Sequence, residues 1–439
     1  MTGLSGLVID VSPLRASRAF RCAFGARLVS VLGIGLLLVA LPVQIYQLTG
    51  STLHVAGVTA TTAVALFAGS LGGGVIADRY DRRTVIQWSR TAAGLGFLAL
   101  GVNALLPNPL LPMIYLAAAV DGVAGGISGS AMMALVPMLV GRENVAAAGA
   151  LTALSSDLGT MITPALAGLL IAETGVAPAY FMAAAATVAT VGLIRAIGAA
   201  PPPARATANP LRELSSGIGF AVRHRIIRAA LLTGLLAMLV SGPLVLLPAM
   251  ADELGAGPTT LGLLYAAPGA GAVLGSLTSG WIGRTGRSGR ALLISLALMP
   301  LGVIAAGAGS HAIWVFLGLA GFGLARAVNT VLRYTLLQQQ SPEELRGRIS
   351  GLLMVQAVTG TAIGSLVAGV VGQLFAPGTA LMVYGLTVLV LGGLMAAAAG
   401  PLYRLSGPSA RSTRVEKIEK ADARGAFAAS GSDSGKDER

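Results

Sequence analysis

Between positions 22 and 399 the chain holds twelve apolar stretches separated by short polar or glycine-rich breaks. They run at about 22–48, 54–77, 84–105, 110–138, 145–172 and 176–198, then at about 229–250, 258–283, 291–308, 311–337, 349–375 and 378–399. Crossing a bilayer as a helix takes roughly 20 apolar residues. The hydrocarbon layer offers no water to unpaired backbone N–H and C=O groups, so runs of this length fold as helices there. Only 11% of the residues are charged, against about 25% in a soluble domain. That balance excludes a water-soluble fold, and the expectation is an all-α polytopic membrane protein with twelve transmembrane helices. Several stretches exceed the hydrocarbon thickness, which predicts tilt or extension past the surface.

The net charge of +12 reports topology rather than a nucleic-acid partner. With the N-terminus placed in the cytoplasm, 27 of the 30 Lys and Arg residues fall on that side, Arg79, Arg82, Arg83, Arg90 and Arg142 among them in the loops after spans two and four. The opposite loops carry only Glu173, Asp252 and Glu253. By the positive-inside rule both termini lie in the cytoplasm. The first apolar stretch is too long for a signal-peptide core and is read as span one. The sole cysteine, Cys22, forms no internal disulfide and reads as a packing residue. Trp88, Trp281 and Trp314 stand at predicted interfaces as anchors. His54, His224 and His311 are scattered, so no metal-ligand spacing appears. Neither a phosphate-binding loop nor a Ser-His-Asp arrangement can be argued, so no cofactor and no enzymatic activity is expected.

Two motifs recur at nearly one spacing. Gly69-Ser70-Leu71 with Gly74 and Ile76 matches Gly275-Ser276-Leu277 with Gly280 and Ile282, 206 residues on. Gly159-Thr160-x-Ile162 with Ala167-Gly168 matches Gly360-Thr361-x-Ile363 with Ala368-Gly369, 201 residues on. A duplicated six-span unit follows, each copy starting on the same side: parallel repeats of the kind found in two-bundle secondary transporters. The predicted organisation is a cytoplasmic segment 1–21, a six-helix bundle 22–198, a connecting loop 199–228, a second bundle 229–399 and a disordered polar tail 400–439. A weak helix is conceivable near 414–424.

The loop after span two reads Gly74-Val75-Ile76-Ala77-Asp78-Arg79-Tyr80-Asp81-Arg82-Arg83. It resembles the signature loop of the major facilitator superfamily, with Asp81 in place of the usual glycine. Gly74 would permit close helix approach. The resemblance implies that Asp78, with Arg79, Arg82 and Arg83, latches the two bundles in one state. A closer similarity, to the siderophore-exporting enterobactin exporter family, covers most of 10–400. It rests on Leu14 to Pro42, the loop just quoted, Val140-Gly141-Arg142-Glu143-Asn144, Asn103-Ala104-Leu105-Leu106-Pro107, Leu264-Tyr265-Ala266-Ala267, and Tyr334 to Gln338 with Gly347-Arg348-Ile349. Gly159, Pro164 and Gly168 in span five resemble the glycine-proline motif of antiporters in the superfamily, with Thr163 and Ala167 where glycines are commonest; a kinked, tightly packed helix accounts for them equally.

Five ionisable residues are read within spans: Arg27, Asp121, Asp157, Arg326 and Arg333. Each costs roughly 2.5–3.5 kcal/mol at the bilayer centre, so each should face a cavity or a partner. The resemblance implies that spans one, four, seven and ten line the cavity, which makes Arg27, Asp121, Arg326 and Arg333 candidates for binding an anionic substrate. Asp121 and Asp157 are the candidates for proton coupling. The alternatives are a fixed pair between Asp121 and a base such as Arg27, a structural pair for Asp157, and a snorkelling Arg333.

The expected function is export of an iron-chelating siderophore in exchange for protons, by a monomer in the bacterial inner membrane. A drug or antibiotic exporter of the same superfamily, and a transport-inactive sensor or scaffold, are the rival readings.

Overall fold

A computed structural model of the chain describes residues 10–198, 200, 224–278, 288–340 and 346–398. The predicted tail, the helix near 414–424, Trp281, residues 1–9 and most of the connecting loop lie outside them. A short helix α1 (Ser12–Ala16) leads into six long ones: α2 (Arg18–Thr49), α3 (Thr52–Arg79), α4 (Arg82–Ala104), α5 (Leu111–Val140), α6 (Val145–Thr174) and α7 (Val176–Arg195). The second half comprises α8 (Arg225–Leu239), a 3₁₀ turn at Gly242–Leu246, α9 (Leu247–Glu253), α10 (Pro258–Thr278), α11 (Ser288–Gly307), α12 (Ala312–Gln340), α13 (Arg346–Leu374) and α14 (Pro377–Ala398). Among the described residues eleven segments are long and apolar enough to cross a membrane, the stretch Ile227–Glu253 counting as one. The twelfth expected span is α4, which carries Arg82, Arg83 and Arg90 and packs between α5 and α7.

Local chemistry sets the helix ends. Ser17, Ser51 and Asp81 accept backbone N–H bonds from Phe20, His54 and Thr84 at the starts of α2, α3 and α4, satisfying donors that a first turn leaves unpaired. Gly50 ends α2 with φ +60°, which glycine adopts without a Cβ penalty, and this allows a two-residue turn into α3. Asn103 donates to Leu110 C=O at 3.3 Å and accepts its N–H at 2.8 Å, closing the loop to α5.

The seventh expected span is interrupted. Pro243 lacks an N–H, and at Gly242 a Cβ would lie 2.8 Å from Gly364 Cα on α13, so the chain passes as an open turn there. Tyr384 Oη donates to Leu239 C=O at 2.8 Å and Tyr265 Oη to Leu244 C=O at 3.2 Å, supplying donors that the broken helix withholds.

The repeat is visible in the packing. In the first half α3 packs on α5, α5 on α4, α4 on α7, and α2 on α6; in the second half α10 packs on α12, α12 on α11, α11 on α14, and α8 on α13. The halves join symmetrically, α6 on α10 and α3 on α13. These contacts gather at the end of the bundle where α2 turns into α3. Thr52 Oγ1 donates to Gly369 C=O at 3.0 Å and Gln373 Nε2 to Ser51 Oγ at 2.8 Å. One apolar cluster, from Leu36 to Val388, unites both halves towards that end. Towards the opposite end the buried clusters are separate: Ile227 with Leu292 and Leu332 in one half, Ala26 with Ile86 and Ile194 in the other. Among the described residues the bundle is therefore closed at one end, and its buried clusters are separate at the other.

Candidate functional site

Close approach of α3 and α5 builds one wall of the central cavity. A Cβ on Gly122 would sit 2.5 Å from Thr62 C=O, and one on Gly73 2.6 Å from Ile127 Cα. These glycines let the backbones touch, which sets Asp121 beside Thr62. At Gly74 a Cβ would meet open space, so the close approach expected there falls on the neighbouring Gly73, about 100° round the helix.

The cavity encloses about 450 Å³ between α2, α3, α5, α6 and α13. Its wall is aliphatic except for Thr59, Thr62, Asp121, Ser156, Thr160 and Thr361. Among the described residues Asp121 is the one charged side chain on it. The basic candidates stand elsewhere. Arg27, half-buried one turn before Val31, donates through Nη2 to the wall residue Ser156 Oγ at 2.6 Å, while its Nε is buried without a partner. Arg326 on α12 stacks 6.0 Å from the Phe322 ring centroid and also leaves Nε unpartnered. Arg333 is 7% exposed and does not snorkel; it lies against Gly234 on α8, where a Cβ would come 2.8 Å from the guanidinium carbon.

Two acid–base relations organise these charges. Asp121 lies within electrostatic range of Arg90, and Arg90 within range of Arg27, with no ion pair within 4 Å joining them among the described residues. The base facing Asp121 thus comes from α4, where the sequence reading had counted Arg90 as a cytoplasmic loop residue. Arg90 lies eight residues past Arg82, about 12 Å along a helix, and that distance was the available signal. Asp157 on α6 interacts with Arg326 on α12, across the two halves.

The signature loop has a defined structure. Asp81 accepts Thr84 N–H at 3.1 Å through Oδ1 and Ala200 N–H at 2.9 Å through Oδ2, while Arg82 N–H donates to Ala200 C=O at 3.1 Å. The residue that departs from the superfamily pattern thereby caps α4 and ties down the start of the connection between the halves. Arg82 is 9% exposed and donates to Ala134 C=O and Met138 Sδ; Arg79 is exposed and Asp78 half-buried at the end of α3. Asp81→Gly removes a cap and a hydrogen bond, and should lower stability by about 1 kcal/mol, read as a lower melting temperature of the purified protein; an unchanged value would show the tie to be incidental.

In α6, Gly159 packs against Val31 of α2, and Gly168 against Gly262 of α10 with a Cβ-to-Cα approach of 2.7 Å. Pro164 lies between them, its carbonyl 2.5 Å from a Cβ built on Gly262. Pro164 and Gly168 of the glycine-proline motif thus lie on one of the two surfaces where the halves meet, while Gly159 packs within the first half. Trp88 and Trp314, 73% and 58% exposed, project from the outside of the bundle. Among the described residues no group of His, Cys, Asp or Glu side chains could hold a metal ion.

Relatives are similar over nearly the whole chain. The enterobactin exporter EntS of Citrobacter koseri is 40% identical over 405 residues, covering 91% of this chain and 96% of the relative. That of Shigella boydii serotype 18 is 40% identical over 392 residues, covering 88% and 93%. Among solved structures, the nucleoside transporter NupG superposes with a TM-score of 0.72 at 13% identity, over 88% of this chain and all of that one. A bacterial homologue of the iron transporter ferroportin, in an inward-facing state, gives 0.66 at 18% identity over 87% of this chain and 98% of that one. At such identities the likeness to the solved structures concerns the fold alone. The model of the transmembrane secretion effectors matches residues 9–413, and with this six-plus-six helical repeat the chain belongs to that family of the major facilitator superfamily.

Proposed function

We propose that the protein exports a siderophore across the bacterial inner membrane, as a secondary transporter working by alternating access in exchange for protons. The observation that carries this reading is 40% identity over about nine-tenths of both chains to enterobactin exporters of two genera. The cavity, walled by the first half and met by Thr361 of the second, supports it physically: a cargo site reached from one side at a time is what alternating access requires. With both termini in the cytoplasm, as the basic loops indicate, the end with separate clusters faces the cytoplasm and the cavity is in its loading state. Asp121 is the proton-coupling residue on this reading because it is the carboxylate that cargo meets. Asp157 and Arg326 form the charge relation that changes when the halves rock, and the protein works as a monomer without catalytic chemistry.

The test is mass spectrometry of medium and cell extract from an iron-starved strain lacking this gene, with and without its restoration. The chelator should accumulate inside and fall outside only when the gene is absent. An unchanged distribution, in a strain lacking other exporters of the superfamily, would overturn the reading.

A further inference from the structure

Span seven is completed at the closed end by a short piece of chain that is jointed on both sides. Pro243 and Pro248 fix φ at two of its positions, which stiffens the stretch from Pro243 to Leu254. Its joints are glycines. At Gly242 the ladder of α8 has already ended and a Cβ would meet the backbone of Gly364, while Gly255 turns the chain with φ +61°, which glycine adopts without a Cβ clash. Between the joints Val245 to Ala251 are all buried, within the apolar cluster that also holds Ile45, Val55 and Val58 of the cavity wall. The piece is held in two different ways. Towards the second half it has directed bonds: Leu244 C=O accepts from Tyr265 Oη at 3.2 Å, and Glu253 Oε2 accepts Gly378 N–H at 3.1 Å at the start of α14. Towards the first half it has packing contact with α2 and α3 and, among the described residues, no hydrogen bond. Leu246 reaches the same notch as Thr52 of α3, since a Cβ on Gly372 of α13 would meet Leu246 Cδ2 and lie 2.8 Å from Thr52 Oγ1.

From this asymmetry we infer that Pro243 to Leu254 is a lid, which swings on Gly242 and Gly255 when the closed end opens, and that Glu253 is the residue that positions it when shut. This rests on the alternating-access reading above and adds a moving part to it. If the halves parted as two rigid bodies, the lid would lose the cover of α2 and α3 and leave its aliphatic face in water. Swinging on to α10 and α14, which it already touches, covers that face again and gives up the bond from Glu253 to Gly378. Burial of two or three aliphatic side chains outweighs the net worth of one such hydrogen bond. The contact to the first half is non-directional and separates without leaving a polar group unpaired. The closed end therefore opens by two motions, the parting of α3 from α13 and the turning of the lid within the second half.

The experiment is spin-label distance measurement on the purified full-length protein, in a background carrying Cys22→Ser. Asp252→Cys with Ile313→Cys puts both labels on the second half, one on the lid and one at the start of α12; Leu105→Cys with Leu374→Cys spans the two halves. All four positions are exposed. Gly369→Leu opens the closed end, because a Cβ there would lie 3.1 Å from Thr52 C=O and 3.2 Å from Leu53 Cα of α3. Thr52→Val with Gln373→Ala, which removes the two hydrogen bonds described between the halves there, serves if the leucine variant fails to fold. Where the 105–374 distance lengthens, the 252–313 distance should shift by about 5 Å, the scale of one helical turn. Glu253→Ala should broaden the 252–313 distribution while the 105–374 distance stays as in wild type, a split that a general loss of packing does not produce. An unchanged 252–313 distance in the opened protein would overturn the lid and leave alternating access standing. No lengthening of the 105–374 distance in either opened variant would overturn the alternating-access reading, and the lid with it.

Discussion

Asp121→Asn is expected to abolish proton-driven export while the protein still inserts and folds. Asp121 is the one carboxylate on the cavity wall, and it is held there at the cost of placing an acid within the membrane, roughly 2.5–3.5 kcal/mol on insertion scales. Asparagine keeps the shape but cannot take up or release a proton. In everted vesicles, chelator-induced proton release should fall at least about tenfold relative to wild type, the scale on which loss of a coupling group is read. Counterflow exchange of chelator down its own gradient should persist, since that step moves no proton. Intact coupling in the variant would transfer the role to Asp157 or refute proton exchange through this site. Arg90 enters the same experiment: its removal strips Asp121 of its facing charge, so Arg90→Gln should impair coupling, and Arg90→Lys should restore part of it.

Gly262→Leu is expected to have an effect of similar size by a different route. A Cβ at Gly262 would lie 2.5 Å from Pro164 C=O and 2.6 Å from Gly168 Cα, both backbone atoms that cannot swing aside. The side chain therefore forces α10 and α6 apart at the closed end. Packing inside each half is untouched, so the two bundles should remain folded while the closed-end state loses its interface. Transport should drop by about tenfold or more, equivalent to 1.4 kcal/mol or more of destabilisation of one state. A cysteine placed at Ser51, in a background with Cys22 replaced by serine, should become more reactive towards an impermeant thiol reagent. Gly192→Ala is the control, since a Cβ there meets nothing within 4 Å. Unchanged labelling and transport in Gly262→Leu would mean that this glycine contact does not hold the end shut.

Where sequence reading fell short, the cause was contact rather than pattern. The break in span seven was invisible to hydropathy, because Ser241, Gly242 and Pro243 sit in a run that stays apolar throughout; the donors from Tyr384 and Tyr265 make the break tolerable, and they come from elsewhere in the chain. Charge pattern alone groups Arg90 with the basic loop it adjoins. The glycine of the signature loop that lies against α5 is Gly73 and not Gly74, a difference of one residue that periodicity in a uniformly small, apolar helix does not resolve. Asp81 was seen as a departure from the superfamily pattern, but its bond to Ala200 spans 119 residues and has no local signature.

A membrane-embedded helical repeat of the major facilitator kind is legible in the amino-acid order alone. Hydrophobic length, duplicated motifs and motif loops are one-dimensional properties, set by the solvent each segment must enter and by local backbone chemistry. That Asp121 reaches the cavity wall, which helices approach one another, and which end of the bundle is closed follow from the three-dimensional packing. Those outcomes depend on how helices far apart in sequence rotate and approach. Opposing glycines let backbones come within contact distance, and each helix then turns a particular face to its neighbour that composition leaves open.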